Sequence, residues 1–353
     1  MSGSAALQAD MRAALRQMID QAPGGAPLER SVPVIEAPSL DNLEVTMPAP
    51  EPVTEKALLA RFAALKRELA TEVPRAEVEA VALGDEVLID CVGYVRGRIL
   101  PFSMREDLWY EMSEDDAYLP GMVAGLAGTP VGGSKSVTIV FPDDYPVERH
   151  RGITAVFAVM VKAARTIVLP EENDAFILAL ERGYTLEEVF VHLANELTEE
   201  QDEEALHAGK VEVLAEVARR AIVDVPAAVI DEEIRAQWRA AEDTPGNAER
   251  LMPDELVQSM DGWISDPELR SEQERRYRLA AAMRAIALRD DVKLGDDALE
   301  TFVDTYAKSM DLTVAEVAAT LASDHELRGI VRRHLLYQVQ VEHLFSRATV
   351  LPG

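Results

Sequence analysis

The chain has 353 residues, and 48% of them are hydrophobic, which is enough for packed cores in two or three domains. Its formal net charge of -28 at pH 7 argues against a nucleic-acid or anionic-membrane surface, because both need clustered lysines and arginines. The single cysteine, Cys91, excludes an intramolecular disulfide, and no run is long and apolar enough for a membrane span. The first residues lack the pattern of a secretory signal, so we expect a cytoplasmic protein.

The first predicted element is a short amphipathic helix over residues 7–19. Apolar residues recur there at helical spacing, and Pro23, Gly24 and Gly25 end the segment. We expect its apolar stripe to pack on the body of the protein, with docking to a partner or dimerisation as the alternative. A proline-punctuated extended segment, residues 32–38, follows it.

A second helix is predicted before residue 74. Thr54 is suited to its N-cap, because the side-chain oxygen can accept a hydrogen bond from a backbone amide of the first turn. The apolar residues that follow are spaced to form one helical face: Leu58, Leu59, Phe62, Leu65 and Leu69.

Residues 83–168 have the pattern of antiparallel strands. Short runs rich in β-branched residues, at 88–95, 137–141 and 155–161, are bounded by Gly, Pro and Asp. Gly121 leads into a segment that is predicted to be one short helix.

This order of elements resembles the FKBP-type prolyl isomerases, in which a half-wrapped sheet encloses one short helix. The family pattern falls on residues 118–126 and then on Phe141-Pro142, Tyr145, Gly152, Ala155 and Phe157. Over residues 43–350 the chain is similar to trigger factor, a bacterial folding chaperone that carries an FKBP domain inserted into a helical body.

After residue 168 the apolar periodicity becomes helical and remains so. Thr185, Thr313 and Ser323 each begin a capping-box pattern, and the run from Val225 to Ile234 is similar to the start of an arm helix in trigger factor. The predicted fold class is therefore α+β and multidomain, with an FKBP-like antiparallel sheet wrapped on a short helix beside a large all-α cradle with helical arms. The predicted domains are a short N-terminal helix and extended segment (1–42), a connector and linker helix (43–82), an FKBP-like domain (83–168) and a helical chaperone domain (169–353).

The resemblance implies an isomerase pocket, but several of its aromatic positions hold other residues. An FKBP-type site needs no nucleophile or cofactor, because it holds the X-Pro bond twisted in an apolar aromatic pocket and so lowers a rotation barrier of roughly 18–20 kcal/mol. Loss of aromatic walls predicts weak or absent activity, and we assign no catalytic residue. The degenerate pocket is expected at Cys91, Leu100, Pro101, Tyr118, Leu119, Met122, Tyr145 and Phe157.

Other kinds of site are disfavoured. The six histidines have no i, i+4 pairing and no neighbouring cysteine, so we expect no metal and no cofactor. The glycines of residues 128–136 predict a β-turn, because Lys135 follows a serine where a phosphate loop has glycine. Trigger factor grips the ribosome through a basic loop, and nothing before Leu43 resembles that loop, so ribosome docking by the family route is not expected.

The expected function is that of an ATP-independent, trigger factor-like holdase or assembly chaperone for unfolded or nascent polypeptides. Trp and Met side chains suit promiscuous contact, because they are large or adaptable. The rival hypotheses are a free prolyl isomerase and a dedicated adaptor for one client, and the sequence leaves open whether the chain forms a homodimer. The client-binding residues are expected on the arm, at Trp238, Leu251, Met252, Leu256, Met260 and Trp263.

Overall fold

The computed structural model describes residues 2–24, 32–113 and 119–353. It combines helices with an antiparallel sheet, so the predicted α+β class is confirmed. The helices are α1 (Ser2–Asp20), α2 (Glu55–Glu68), α3 (Met122–Leu126), α4 (Asp174–Ala179), α5 (Leu186–Arg220), α6 (Ala227–Ala241), α7 (Pro245–Arg250), α8 (Pro253–Ser265), α9 (Pro267–Arg289), α10 (Ala298–Ser309), α11 (Val314–Ser323) and α12 (His325–Arg347). The strands are β1 (Glu44–Met47), β2 (Thr71–Pro74), β3 (Asp85–Val95), β4 (Arg98–Ile99), β5 (Arg105–Glu111), β6 (Ser134–Val140), β7 (Thr154–Val168) and β8 (Thr349–Pro352).

Strands β2 to β7 form one six-stranded sheet. Its order is β2-β7-β3-β4, with β5 also paired to β3 and β6 also paired to β7, and every pairing is antiparallel. Arg96 and Gly97 both have positive φ in the turn between β3 and β4, which is the backbone that a two-residue hairpin requires. Alternate residues of β7 are buried, and α3 packs against this same core with Met122, Val123 and Leu126.

A buried ion pair ties the start of β3 to the preceding chain. Asp85 is 1% exposed and accepts two hydrogen bonds from Arg75, at 2.6 and 3.0 Å. The amide of Ala82 and the hydroxyl of Thr166 donate to the same carboxylate at 2.8 and 2.9 Å. Burial alone would raise the pKa of Asp85, but these hydrogen bonds outweigh it and hold that pKa below its ordinary value.

The chain divides into two compact units. The first, which we call the head unit, comprises residues 53–198 and 228–270, and therefore contains the sheet, α2 to α4 and α6 to α8. Besides the sheet core it has a smaller core in which Phe62 of α2 packs on Phe176 and Phe190, with ring centroids 5.8 and 5.2 Å away.

The second unit, which we call the body unit, comprises residues 1–52, 199–227 and 271–353. In it, β1 and β8 form a two-stranded parallel sheet. Helix α1 buries Met11 and Leu15 against α10, α11 and α12, which confirms the predicted N-terminal helix and its packing on the body. Arg12 of α1 also pairs with Asp324 at 2.7 Å.

The predicted helix caps are confirmed in part. Thr54 accepts a hydrogen bond from Ala57 N at 3.2 Å, and Thr313 forms a complete capping box with Glu316. The prediction for Ser323 was wrong by one residue. Asp324 is the N-cap of α12, because its carboxylate accepts from Leu327 N at 2.9 Å, whereas Ser323 ends α11.

Membrane spans and metal clusters are both missing from the part of the chain that the structure describes. None of the helices there is long and apolar enough to cross a membrane. Within the same residues, no three His, Cys, Asp or Glu side chains are grouped as metal ligands would be.

Candidate functional site

The residues predicted for the isomerase pocket converge in the sheet core. Cys91, Met122, Tyr145 and Phe157 are all buried there, and Met122 is fully enclosed. Leu100 and Leu119 are partly buried and pack against the same cluster. Tyr118 lies outside the described residues.

The interior of this cluster is filled by side chains. A Cβ atom on Gly93 would lie 2.9 Å from the ring of Phe157, so the ring occupies the space above a glycine in β3. The buried hydroxyl of Ser103 accepts from Gly93 N at 2.9 Å and donates to Leu100 O at 2.6 Å. These contacts fix the loop after β4 against β3.

Aromatic residues line one edge of the core. The rings of Phe141 and Tyr145 lie 4.7 Å apart between centroids, and the His150 ring lies 5.4 Å from that of Phe141. Burial is the main reason that the pKa of His150 is lowered, and the neighbouring Arg149 guanidinium adds to it. The imidazole is therefore kept neutral, as expected of a packing group.

Burial also governs the cysteine. Cys91 is 4% exposed, and desolvation raises the pKa of its thiol to about 11. The thiol is therefore protonated at neutral pH, and a nucleophilic role at this position is disfavoured.

Helix α8 lies on the loop after β4. A Cβ atom on Gly262 would be only 2.7 Å from Pro101 Cγ, so the helix backbone touches the proline ring. The next residue, Trp263, packs on Phe102 with ring centroids 4.3 Å apart. Pro101, predicted as part of the degenerate pocket, thus contacts the backbone of α8.

Charged contacts reinforce this docking of the arm. Arg149 pairs with Asp266 at the end of α8, and its guanidinium lies 5.7 Å from the Phe102 ring centroid. Arg250 at the end of α7 contacts Asp90 and Glu106 of the sheet, each at 3.0 Å. Helices α6 to α8, which we call the arm, are thereby fastened to the sheet within the head unit.

The predicted client-binding residues fall into two groups. Trp238 and Trp263 are buried. Trp238 donates a hydrogen bond to Ser259 at 3.1 Å inside the arm, and the Trp263 ring packs on that of Phe102. Met252 is 64% exposed. Partly buried side chains make up the remainder: Leu251, Leu256 and Met260.

A buried carboxyl group in the arm was missed by sequence reasoning. Glu242 is fully buried and accepts a hydrogen bond from Ser259, while its backbone carbonyl accepts from Asn247 Nδ2 at 2.9 Å. Burial raises the pKa of Glu242. Its position at the end of an amphipathic helix pattern carries no signal of burial, since glutamate there is ordinarily solvated.

The body unit contains an apolar groove between α9 and α12. We call it the α9/α12 groove; its volume is about 440 Å³. Leu288 of α9 is 65% exposed at this groove. The charged residues around it are Arg276, Arg284, Asp291 and Lys293, and Lys293 pairs with Asp291 at 2.6 Å. The apolar lining consists of Val32, Leu279, Ala280, Met283, Ala287, Leu288, Val292 and Leu336.

Comparison with known proteins identifies the relatives of this arrangement. Residues 185–346 match the family described as "Bacterial trigger factor protein (TF) C-terminus". Trigger factor of Actinobacillus pleuropneumoniae serotype 5b is 26% identical over 322 residues, which cover 90% of this chain and 70% of the relative. The chain is trigger factor-like. The resemblance read from its sequence is therefore confirmed.

A second trigger factor is similar over most of the chain, and one solved structure aligns with it in part. Trigger factor of Halothermothrix orenii is 26% identical over 286 residues, covering 81% of this chain and 66% of the relative. A solved structure described as "Promiscuous Substrate Recognition in Folding and Assembly Activities of the Trigger Factor Chaperone" aligns with 85% of this chain and 70% of its own, at 17% identity and a TM-score of 0.31. The similarity to trigger factor therefore extends over most of this chain.

Proposed function

We propose that this trigger factor-like chain is an ATP-independent holdase that binds unfolded polypeptide through its helical surfaces. The observation that carries the proposal is the α9/α12 groove, an open apolar surface of about 440 Å³ on helices that belong to the matched region. Such a surface is favourable for apolar side chains of an unfolded client, because contact removes both from water. The exposed Met252 of the arm is a second adaptable contact.

ATP independence is part of the proposal. The one glycine-rich stretch with the composition of a phosphate loop, residues 128–136, leads into a strand and not into a helix. Gly133 N donates to Pro130 O at 2.9 Å, which closes a tight turn. Phosphate loops use amides at the start of a helix, so this stretch has a different architecture.

The proposal also holds that isomerase activity is weak or absent. Supporting it, the Phe157 ring and Met122 fill the core at the pocket positions, and Pro101 is covered by Gly262 of the arm. Proline-limited refolding of a test protein provides the assay. A rate increase like that of an intact FKBP domain would instead support the free isomerase.

We further propose that the protein works in the cytoplasm and that its described N-terminal residues do not bind the ribosome. The stretch before Lys56 contains no lysine, and of the two arginines on α1, Arg12 is already paired with Asp324 at 2.7 Å, which leaves Arg16 exposed. Ribosome contact needs cations available for phosphate and acidic protein. Cosedimentation with ribosomes at physiological salt would contradict this part.

The central experiment is suppression of aggregation of a chemically denatured test protein. Wild type is compared with Leu288→Glu in the groove, Met252→Glu on the arm and Leu59→Glu on α2. Leu59 is 52% exposed on a helix outside the groove and the arm, so L59E is the matched control for a new charge at an exposed apolar position. We expect suppression by wild type and L59E, and weaker suppression by L288E.

The outcomes separate the hypotheses. Failure of the wild-type chain to suppress aggregation would refute the general holdase and favour one dedicated client, to be sought by pull-down with and without residues 1–22. Equal suppression of aggregation by L288E and L59E would show that the groove does not bind the client. Weaker suppression by M252E alone would assign client binding to the arm. Light scattering of the same samples reports whether the chain is a monomer or a homodimer.

A further inference from the structure

The body unit already holds one extended segment of its own chain, residues 32–42. No described residue of this segment belongs to a helix or strand. Its partly buried side chains, Ile35, Ala37 and Leu40, pack against the core formed by α5, α9 and α12, whereas Val34 is 67% exposed. The segment therefore presents alternating apolar contacts to the helices, as an extended peptide does in a binding groove.

Arginines hold this segment by its backbone. Arg220 donates to the carbonyl oxygens of Ser39, Asp41 and Asn42, at 3.0, 2.9 and 2.9 Å. Arg289 donates to Pro38 O at 3.0 Å. Arg284 donates to Val32 O, at the other end of the segment. We call these three residues the arginine track.

Acidic neighbours hold the track in position. Glu216 accepts from Arg220 Nε at 2.7 Å, one helical turn away on α5. Asp290 accepts from Arg289 Nε at 2.6 Å. Each of these two guanidinium groups thus has one edge fixed by a carboxylate and other N–H groups directed to main-chain oxygens, which lowers the entropy cost of binding.

Recognition of this kind does not depend on sequence. Every residue of a polypeptide carries a carbonyl oxygen, so a guanidinium that donates to carbonyls accepts any extended chain. The track is also continuous with the α9/α12 groove, because Val32 and Arg284 line both. Backbone contacts along the track and apolar pockets beside it are the two properties that a holdase needs for varied clients.

We propose that the arginine track is a binding site for extended client polypeptide, and that residues 32–42 occupy it as an internal competitor. The inference rests on the proposed holdase function and adds the client conformation and a regulatory device to it. A client binds only when the segment has left the track. The apparent affinity for the client is therefore the intrinsic affinity multiplied by the fraction of molecules in which the track is free.

The test measures binding of a fluorescent, permanently unfolded probe, a reduced and carboxymethylated protein, to full-length chain by anisotropy. Ile35→Asp with Leu40→Asp loosens the segment, because a carboxylate is disfavoured on an apolar surface. The double variant is expected to bind the probe at least about threefold more tightly than wild type. Binding that is no tighter than wild type would overturn the competition.

Arg220→Ala is then added to the double variant. Because the segment is already loosened there, the substitution is expected to affect binding of the client and not binding of the segment. We expect about tenfold weaker binding, since charged hydrogen bonds to carbonyls are lost. Arg219→Ala in the same background is the control: Arg219 pairs with Glu216 at 2.8 Å but contacts none of the described carbonyls of residues 32–42. Equal binding by the two arginine variants would overturn the track as a client site.

A second measurement does not depend on folding of the double variant. A photo-crosslinking amino acid replaces Ile35 in the full-length chain, and its crosslink to the α5–α9–α12 core is expected to fall as the probe is added. An undiminished crosslink with bound probe would refute displacement. Failure of the holdase function itself is distinguishable, because the wild-type chain would then neither bind the probe nor suppress aggregation.

Discussion

Because Gly262 contacts Pro101, replacing this glycine with alanine is predicted to destabilise the protein, which is the opposite of the usual effect in a helix. Replacing glycine with alanine in a helix usually stabilises it, by up to about 1 kcal/mol. At Gly262 the added Cβ would lie 2.7 Å from Pro101 Cγ, and a proline ring cannot rotate away. Relief requires a shift of α8, which strains packing at a cost of about 1–3 kcal/mol. We therefore expect Gly262→Ala to destabilise the head unit by about 0.5–2 kcal/mol.

The assay is urea denaturation followed by tryptophan fluorescence, because Trp263 lies beside the altered contact, with its ring 4.3 Å from that of Phe102. Gly329→Ala in α12 is the control, since its nearest neighbour is the end of the flexible Arg333 side chain at 3.4 Å, and it should stabilise. Because α12 belongs to the body unit and the three tryptophans lie in the head unit, unfolding of this control is followed by far-UV circular dichroism. Pro101→Ala should relieve the strain in a double variant. The reasoning is refuted if G262A stabilises the protein as G329A does.

Three further predictions concern stability and reactivity. Asp85→Asn should cost about 2–4 kcal/mol, because it breaks the buried pair with Arg75. Since the folded-state pKa of Asp85 is lowered, its contribution is present above the unfolded pKa and is lost as pH falls through the folded value. The stability difference between the two proteins should therefore begin to shrink below about pH 4, the ordinary pKa of an aspartate, and should be lost only below the lowered folded-state value. The Cys91 thiol, with its pKa raised to about 11 by burial, should react slowly with thiol reagents at pH 8 until urea unfolds the chain. Thr313→Ala should cost about 1 kcal/mol through loss of the α11 cap.

The two stability predictions each have a control variant, and the cysteine prediction has a contradicting outcome. Asp107→Asn removes a more exposed ion pair, with Lys162, and should cost less than about 1 kcal/mol in urea titrations. Ser323→Ala should have little effect beside T313A, because Asp324 and not Ser323 caps α12. Prompt stoichiometric labelling of the folded chain would contradict the burial of Cys91, and equal losses for D85N and D107N would contradict the special role of the Asp85 pair.

The local elements were within reach of sequence reasoning because their causes are local. Apolar spacing indicated α1 and α2, and β-branched alternation indicated β3, β6 and β7. Observed α1 begins five residues before its predicted start, and observed β7 continues seven residues beyond its predicted end. The cap at Thr54 followed from one side chain and the amide three residues on. The error at Ser323 has the same origin, since two adjacent polar residues both suit an N-cap and only the backbone geometry selects Asp324.

The candidate sites depended on partners distant in the chain. Periodicity indicated that Trp238 and Trp263 lie on helices, but their burial results from Ser259 inside the arm and from Phe102 on the sheet. Met252 has the same kind of sequence context and remains 64% exposed. An apolar pattern specifies a face that favours burial, and it does not specify which surface covers that face.

By itself, therefore, the sequence determined the α+β class, most of the elements and the resemblance to trigger factor, because these follow from short-range spacing and residue type. Only the tertiary structure decided that the arm docks on Pro101 and that residues 32–42 lie along Arg220, Arg284 and Arg289. Arg289 and Pro38 are separated by 251 residues. Contacts between groups so far apart in the chain depend on how whole helices pack, and no local pattern encodes that packing.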